Sequence, residues 1–326
     1  MSILLVFFLL VLVLAFVLFR PAHFIKEAQF EVRKVAHSIS EAGIEIMTVY
    51  ARYPRFIHAE VMTHKDFSRS ASSSRAIPVK KVLQQVWNNP ATPINWGCNI
   101  PGMQAKTELS GWKRNVAINV WHLCGKTVCI FAWTLMKVGL HKQVANRVLE
   151  PWQYIHVVIT ATNWKNFYNL RCHPDAQPEI NYLANLIRTA QEESPPTLLS
   201  LGEWHLPWID QEDVVLAIHY LMENYRSSLF SNALPFLKKQ SAARCARTSY
   251  ATFDGKRSTL KDDIKLCDQL FSMRPVHASP AEHQATPDYC IATDDPKPQW
   301  SSPELHGNLR GWIQYRKQIP DHYLEG

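Results

Sequence analysis

Residues 154–162 read YIHVVITAT, and residues 44–53 read IEIMTVYARY. β-Branched and aromatic side chains dominate both, the types that suit a pleated, packed surface. The first run is short and near-continuously apolar, which predicts a strand buried on both faces. The second alternates in part and predicts a strand closed by Pro54. Around these two the period changes. Residues 112–138 read as one long helix, apolar on much of its circumference but carrying His122 and Lys126, which predicts a core helix rather than a membrane span. Residues 176–193 place Ile180, Leu183, Leu186 and Ile187 at helical spacing. Residues 210–225 open on Asp210 as N-cap with acidic residues in the first turn, and residues 260–270 form a further helix. Residues 24–40 read as a connecting helix, 68–74 as an ordered Ser-rich loop and 89–111 as a Pro- and Gly-marked loop. Helices outnumber strands and short βαβ units do not recur. The expected class is α+β, a mixed sheet with packed helices, preceded by a single N-terminal hydrophobic helix.

That N-terminal run covers residues 3–19 and contains only Ile, Leu, Val, Phe and Ala. As a helix it reaches about 26 Å, the short end of what crosses a bilayer. Arg20 ends it, Lys26, Arg33 and Lys34 follow, and no small-x-small cleavage site does. This argues for an anchor over a secretory signal, with the following body cytoplasmic. The competing origin is translation from a start upstream of the natural one. The expected organisation is an anchor at 1–20, a linker helix at 21–43 and a catalytic domain at 44–326.

The whole chain has 326 residues, 47% hydrophobic and 19% charged, which excludes disordered and low-complexity classes. Seven scattered cysteines with no C-x-x-C fit a reducing compartment and signal neither a zinc ribbon nor a dithiol site. The net charge of +7 fits a phosphate-bearing small molecule as well as a nucleic acid. No P-loop, G-x-G-x-x-G or G-x-S-x-G occurs. His277 and His283 lack a third ligand at convincing spacing, so no metal is expected.

Arg75 closes a Ser-rich run, Arg147 precedes Pro151, and Arg171 closes NFYNLR at 166–171. Guanidinium forks beside hydroxyls and backbone N–H groups are the chemistry that holds a phosphate. Taken singly, each arginine is more commonly a solvated or ion-paired surface residue.

Residues 63–75, THKDFSRSASSSR, resemble the signature of the flavin-dependent thymidylate synthases, Arg-His-Arg-x2-Ser-x-Asn-x2-Ser-x-Arg. His64, Ser68, Ser73 and Arg75 fit, while Thr63, Lys65 and Ser70 stand where that pattern has Arg, Arg and Asn. Residues 48–62 look like the strand leading into the signature. NFYNLR with AQPEI at 176–180, RVLEP at 147–151, and ARTSY at 246–250 with SPAEH at 279–283 are similar to three further family segments. In the family the last of these precedes the signature, so the layout resembles a circularly permuted, phage-type member. Residues 310–316 look like a worn second copy of the signature region.

The resemblance implies conversion of dUMP to dTMP, with methylenetetrahydrofolate as one-carbon donor and NADPH as reductant through FAD, without a cysteine nucleophile. It assigns Arg171 and His283 to catalysis, and Thr63, His64, Lys65, Ser70, Asn166 and Ser249 to FAD. It assigns Glu60, Ser73, Arg75, Arg147 and Arg171 to the nucleotide. It also implies a homotetramer and no nucleic-acid partner. Lys65 keeps the charge without the two-pronged geometry, and Thr63 loses the charge. The alternatives are a catalytically degenerate, nucleotide-binding or structural homologue, and a membrane-anchored nucleic-acid-binding protein. For Arg171 the competing role is an ion pair with Asp175 or Glu179.

Overall fold

The computed structural model describes residues 29–225, 230–250, 258–292 and 298–322. The run at 3–19 and most of the expected anchor-and-linker region lie outside them. The centre is a five-stranded mixed sheet in the order β3-β4-β2-β1-β5, with β1 Glu31–Ser40, β2 Glu45–Pro54, β3 Ser68–Ala71, β4 Tyr154–Ala161 and β5 Thr197–Leu199. β1 and β2 form a hairpin whose turn needs Gly43 at φ +76°, a left-handed conformation that L side chains resist. β2–β4 and β3–β4 are antiparallel, and β1–β5 is parallel. The α+β class and both founding strands stand as read from the sequence.

Three expectations are corrected. Residues 31–40 form β1, not a linker helix; eight backbone pairings with β2 and three with β5 outweigh the helix-compatible spacing of their apolar residues. Residues 68–71 form the edge strand β3, because β4 supplies a partner for these low-propensity serines. The strand ahead of the signature stops at Pro54. A 3₁₀ turn at Arg55–Ile57 and the helix α1, His58–Met62, carry the chain on.

One sheet face is apolar. Met47, Val49, Ala51 and Tyr53 of β2 join Ile155, Val157 and Ile159 of β4 against Ile180, Leu183 and Ile187 of the helix at Pro178–Glu192. The other face is polar and equally buried. Ser38, Thr48, Thr160 and Ser70, one from each of four neighbouring strands, are bridged by two histidines from the covering layer. His205 spans Ser38 and Thr48 at 2.9 and 2.8 Å, and His283 spans Thr160 and Ser70 at 2.8 and 3.0 Å.

In chain order the remaining helices are α2 Val79–Asn88, α3 Gly111–Lys137, α4 Lys142–Ala145, α5 Lys165–Arg171, α6 Pro178–Glu192, α7 Gln211–Tyr225, α8 Phe230–Tyr250 and α9 Leu260–Ser272. α2 and α3 pack through Val82, Val86, Cys129, Ala132 and Leu149. Gly125 lets Trp152 lie against α3: a Cβ there would sit 2.9 Å from the indole. The long helix is where the sequence expects it, but it buries one face only; Ile130, Phe131 and Trp133 are exposed. α7 begins with the expected cap, Asp210 and Asp213 each accepting the other's backbone N–H. Arg244 of α8 grips the buried Asp213 with two nitrogens at 2.6 and 2.8 Å, and Arg247 grips Asp263 of α9. Arg247 of the ARTSY segment is therefore an ion-pair residue of the helical layer.

Candidate functional site

The loop after α1 and the C-terminal end of α5 meet, and they bring four of the expected residues together. Arg171 donates Nε–H to His64 Nε2 at 3.0 Å. Its outer nitrogens lie 3.4 Å from Thr63 Oγ1 and 3.6 Å from a Glu60 oxygen. His64 is fixed edge-on against Phe167, with ring centroids 4.9 Å apart, and lies beside Phe67. Asn181 of α6 donates to the Arg171 carbonyl and ties down the end of α5. Accepting at Nε2 requires a neutral imidazole carrying its proton on Nδ1. Burial, then the Arg171 charge, holds the His64 pKa below its usual value. The competing partners are engaged elsewhere: Glu179 accepts the backbone N–H of Ile94, and the Asp175 carboxylate lies by His173. Asn166 is exposed on α5.

A second cluster surrounds Glu150. One carboxylate oxygen takes Arg55 at 3.0 Å, Arg147 at 3.1 Å and Ser74 at 3.1 Å. Ser73 Oγ accepts the N–H of Arg75, and Asn146 pins the loop by donating to the carbonyls of Ser74 and Ile77. The three residues assigned to phosphate, Ser73, Arg75 and Arg147, thus lie along one chain of contacts. Glu150 and Arg55 are unforeseen members; the only signal for Glu150 was its place in RVLEP.

A third element is a cleft of roughly 380 Å³ between the signature and the C-terminal segment. Lys65, Arg69, Arg316 and Lys317 supply four cations to its lining, and Glu282 the acid, which is paired with Arg316. Arg69 is held by its donations to the Val61 and Met62 carbonyls. Burial pushes the Glu282 carboxyl up. The sequence reading missed Arg69, although it lies inside the signature. It also missed Arg316, the last residue of the stretch read as a worn second copy, and Lys317 just beyond it.

Ser70 and His283 do not join these surfaces. His283 is fully buried between Thr160 and Ser70, its pKa pushed down to about 3 by burial. Both side chains belong to the buried core network beneath the sheet. The Ser249 side chain lies outside the described residues. Cys172 follows Arg171, but burial raises its thiol pKa, the opposite of an activated nucleophile. Among the described residues no group of three His, Cys, Asp or Glu side chains could hold a metal.

The family described as thymidylate synthase complementing protein matches residues 44–197. That span holds β2, the signature, both arginine clusters and α6, and is just under half of the chain. Solved structures similar to this one include a UMP/dUMP methylase PolB from Streptomyces cacaoi bound with 5-Br UMP, at 17% identity and TM-score 0.43 over 50% of this chain and 89% of that chain. The same enzyme bound with 5-Br dUMP gives 15% identity and TM-score 0.42 over 50% and 90%. No curated protein matches the chain.

Proposed function

We propose that the protein is a flavin-dependent uridylate methyltransferase that converts dUMP to dTMP, with methylenetetrahydrofolate as one-carbon donor and NADPH as reductant. The observation that carries this reading is the locked guanidinium of Arg171, held on His64 by two segments more than a hundred residues apart. The family match over residues 44–197 supports it.

Methylation at C5 of a uracil requires the ring to become electron-rich, and negative charge builds on its O2/N3 edge. Arg171 supplies a fixed positive charge for that edge. Its Nε is committed to His64, while its outer N–H groups, held at 3.4 and 3.6 Å, are free to turn to a ligand oxygen. Neutral His64 keeps Arg171 the sole positive charge of the pair. Ser73, Arg75 and Arg147 hold the 5′-phosphate, which displaces Glu150 from Arg147.

The cleft's donors suit the anionic diphosphate of FAD: Lys65, Arg69 and Lys317 would hold it. When bound, the flavin relays reducing equivalents from NADPH to the one-carbon unit. A homotetramer would complete the open side of each cleft with a neighbouring subunit.

A second reading is a nucleotide-binding protein without turnover. It is favoured by Thr63 in place of Arg and by Glu150, which already occupies Arg147. The visible absorbance spectrum of the full chain purified in detergent tests the two: bound flavin supports the enzyme, whereas dUMP binding by a flavin-free protein that FAD cannot restore supports the second.

A further inference from the structure

The proposed chemistry leaves one large surface unused. Residues 79–146 hold eight Lys and Arg against a single acidic residue, Glu108, a surplus as large as the +7 of the whole chain. The positive charge is therefore concentrated on the unit built from α2, α3 and α4, and the rest of the chain is balanced in charge. Within α3 there are Lys113, Arg114, Lys126 and Lys137 and no acid at all.

The same unit exposes an apolar stripe. α3 is long and apolar enough to cross a membrane by length and composition, yet it lies against α2 and Leu149 along one side. On its outer side Val120, Cys124, Thr127, Phe131, Thr134 and Val138 recur every three or four residues, one continuous face of a helix. Phe131 is 60% exposed and Val138 74%. Lys126, Trp133 and Lys137 edge this stripe. The Lys126 ammonium lies over the exposed Trp87 of α2 at 5.5 Å and that of Lys137 over Trp133 at 5.4 Å. Aliphatic stems laid along indole rings, with the charge at the rim, are how basic residues sit at a lipid headgroup boundary.

We propose that this face of α3, with the adjoining Trp87 edge of α2, docks on an anionic lipid bilayer. Phe131 and Ile130 enter the acyl boundary, and the tryptophans sit at headgroup level. Lys126, Lys137 and the α2 lysines face lipid phosphates. A second copy of the chain fits less well, because two-fold packing on α3 would bring together two helices carrying four cations and no acid each. Single-stranded nucleic acid stacks its bases on aromatic rings, whereas of the six residues of this stripe Phe131 alone carries a ring. The apolar run at 3–19 would hold the chain at a bilayer and raise the effective concentration of this surface there.

The test places an environment-sensitive fluorophore on Cys124, the one exposed cysteine, in the full chain with Cys98, Cys172 and Cys290 changed to Ser. The protein is bound to vesicles of phosphatidylcholine, alone or mixed with phosphatidylglycerol, containing chain-brominated lipid. The run at 3–19 is present in every arm, so quenching at Cys124 is the readout rather than capture. Strong quenching is expected on the anionic vesicles alone, weakening with salt. Lys126→Glu with Lys137→Glu lowers the docking equilibrium constant roughly 30-fold, at ~1 kcal/mol per basic residue near an anionic surface. Phe131→Ser loses quenching while retaining its salt-dependent attraction. Equal quenching on both vesicle types, or none, overturns the proposal. So does a lipid-independent emission shift that grows with protein concentration, or a shift produced by an oligonucleotide and not by vesicles.

Discussion

Arg171 and His64 are joined by a 3.0 Å hydrogen bond from the guanidinium Nε to the imidazole Nε2, across more than a hundred residues of chain. The bond settles the orientation of one group and the protonation of the other. It also makes the two separable by mutation. Arg171→Ala removes the charge and leaves His64 packed on Phe167. Turnover is expected to fall about 10²-fold or more, the size of one lost electrostatic stabiliser, with dUMP affinity changed less than about tenfold. Steady-state kinetics beside equilibrium binding on flavin-loaded protein measure the split. Turnover within threefold of the parent contradicts the assignment.

Arg75→Ala should weaken dUMP binding far more than FAD binding, because Arg75 sits on the Ser73 loop and not on the cleft. Charge-assisted contacts to phosphate of about 1.5–3 kcal/mol correspond to an approximately 10- to 150-fold loss. Lys65→Arg acts the other way, tightening FAD with little effect on dUMP. Parallel titrations of each variant with both ligands separate the two sites; equal losses in both would merge them.

Acid should destabilise the fold through its buried histidines. His205 and His283 are held neutral in the folded chain, each with its pKa pushed down to about 3, while the unfolded chain titrates near 6.5. Above pH 6.5 neither state is protonated and the two contribute nothing. Below it the unfolded chain takes up protons that the folded chain refuses, so stability falls as pH drops toward 3. The slope is of order 1.4 kcal/mol per pH unit for each histidine. Glu179 and Glu282, raised by burial, work with the opposite sign in the carboxylate range. Denaturant melts between pH 7 and 5 should show this slope, and His283→Gln should reduce it by about one proton. An unchanged slope in that variant would remove His283 from the account.

Asp213→Ala should cost about 3–5 kcal/mol, because it leaves the Arg244 guanidinium half-buried without its two-pronged partner. Urea unfolding reads the loss. A shift below about 1 kcal/mol would show that Asp263 alone holds Arg244.

The sheet was legible where residue type and period agreed, at residues 44–53 and 154–162. It was not legible at β1, whose apolar residues are spaced like a helix and whose strand state comes from pairing with β2 and β5. It was not legible at β3, because serine carries little strand preference of its own. Of the candidate site, motif spacing singled out His64 and Arg171, which the fold brings together, and Arg75 and Arg147, which lie by the Ser73 loop and Glu150. The burial of Ser70 and His283 was not, since it depends on strand order: four strands must lie side by side before their hydroxyls form a row that two histidines can bridge. Arg316 and Lys317 were invisible for the same reason, as only the tertiary fold brings the C-terminal segment to Lys65. α3 was read correctly in extent, but one-sided burial is a property of its neighbours.

The reaction proposed for this site is methylation of a uracil at C5. The most direct measurement is mass analysis of the nucleotide recovered after the full chain, with FAD, is incubated with dUMP, methylenetetrahydrofolate and NADPH. The expected product is heavier by one CH2 unit, a methyl in place of the C5 hydrogen; it forms only when all three substrates are present and is lost in Arg171→Ala. Recovery of unchanged dUMP from flavin-loaded, folded protein would contradict it.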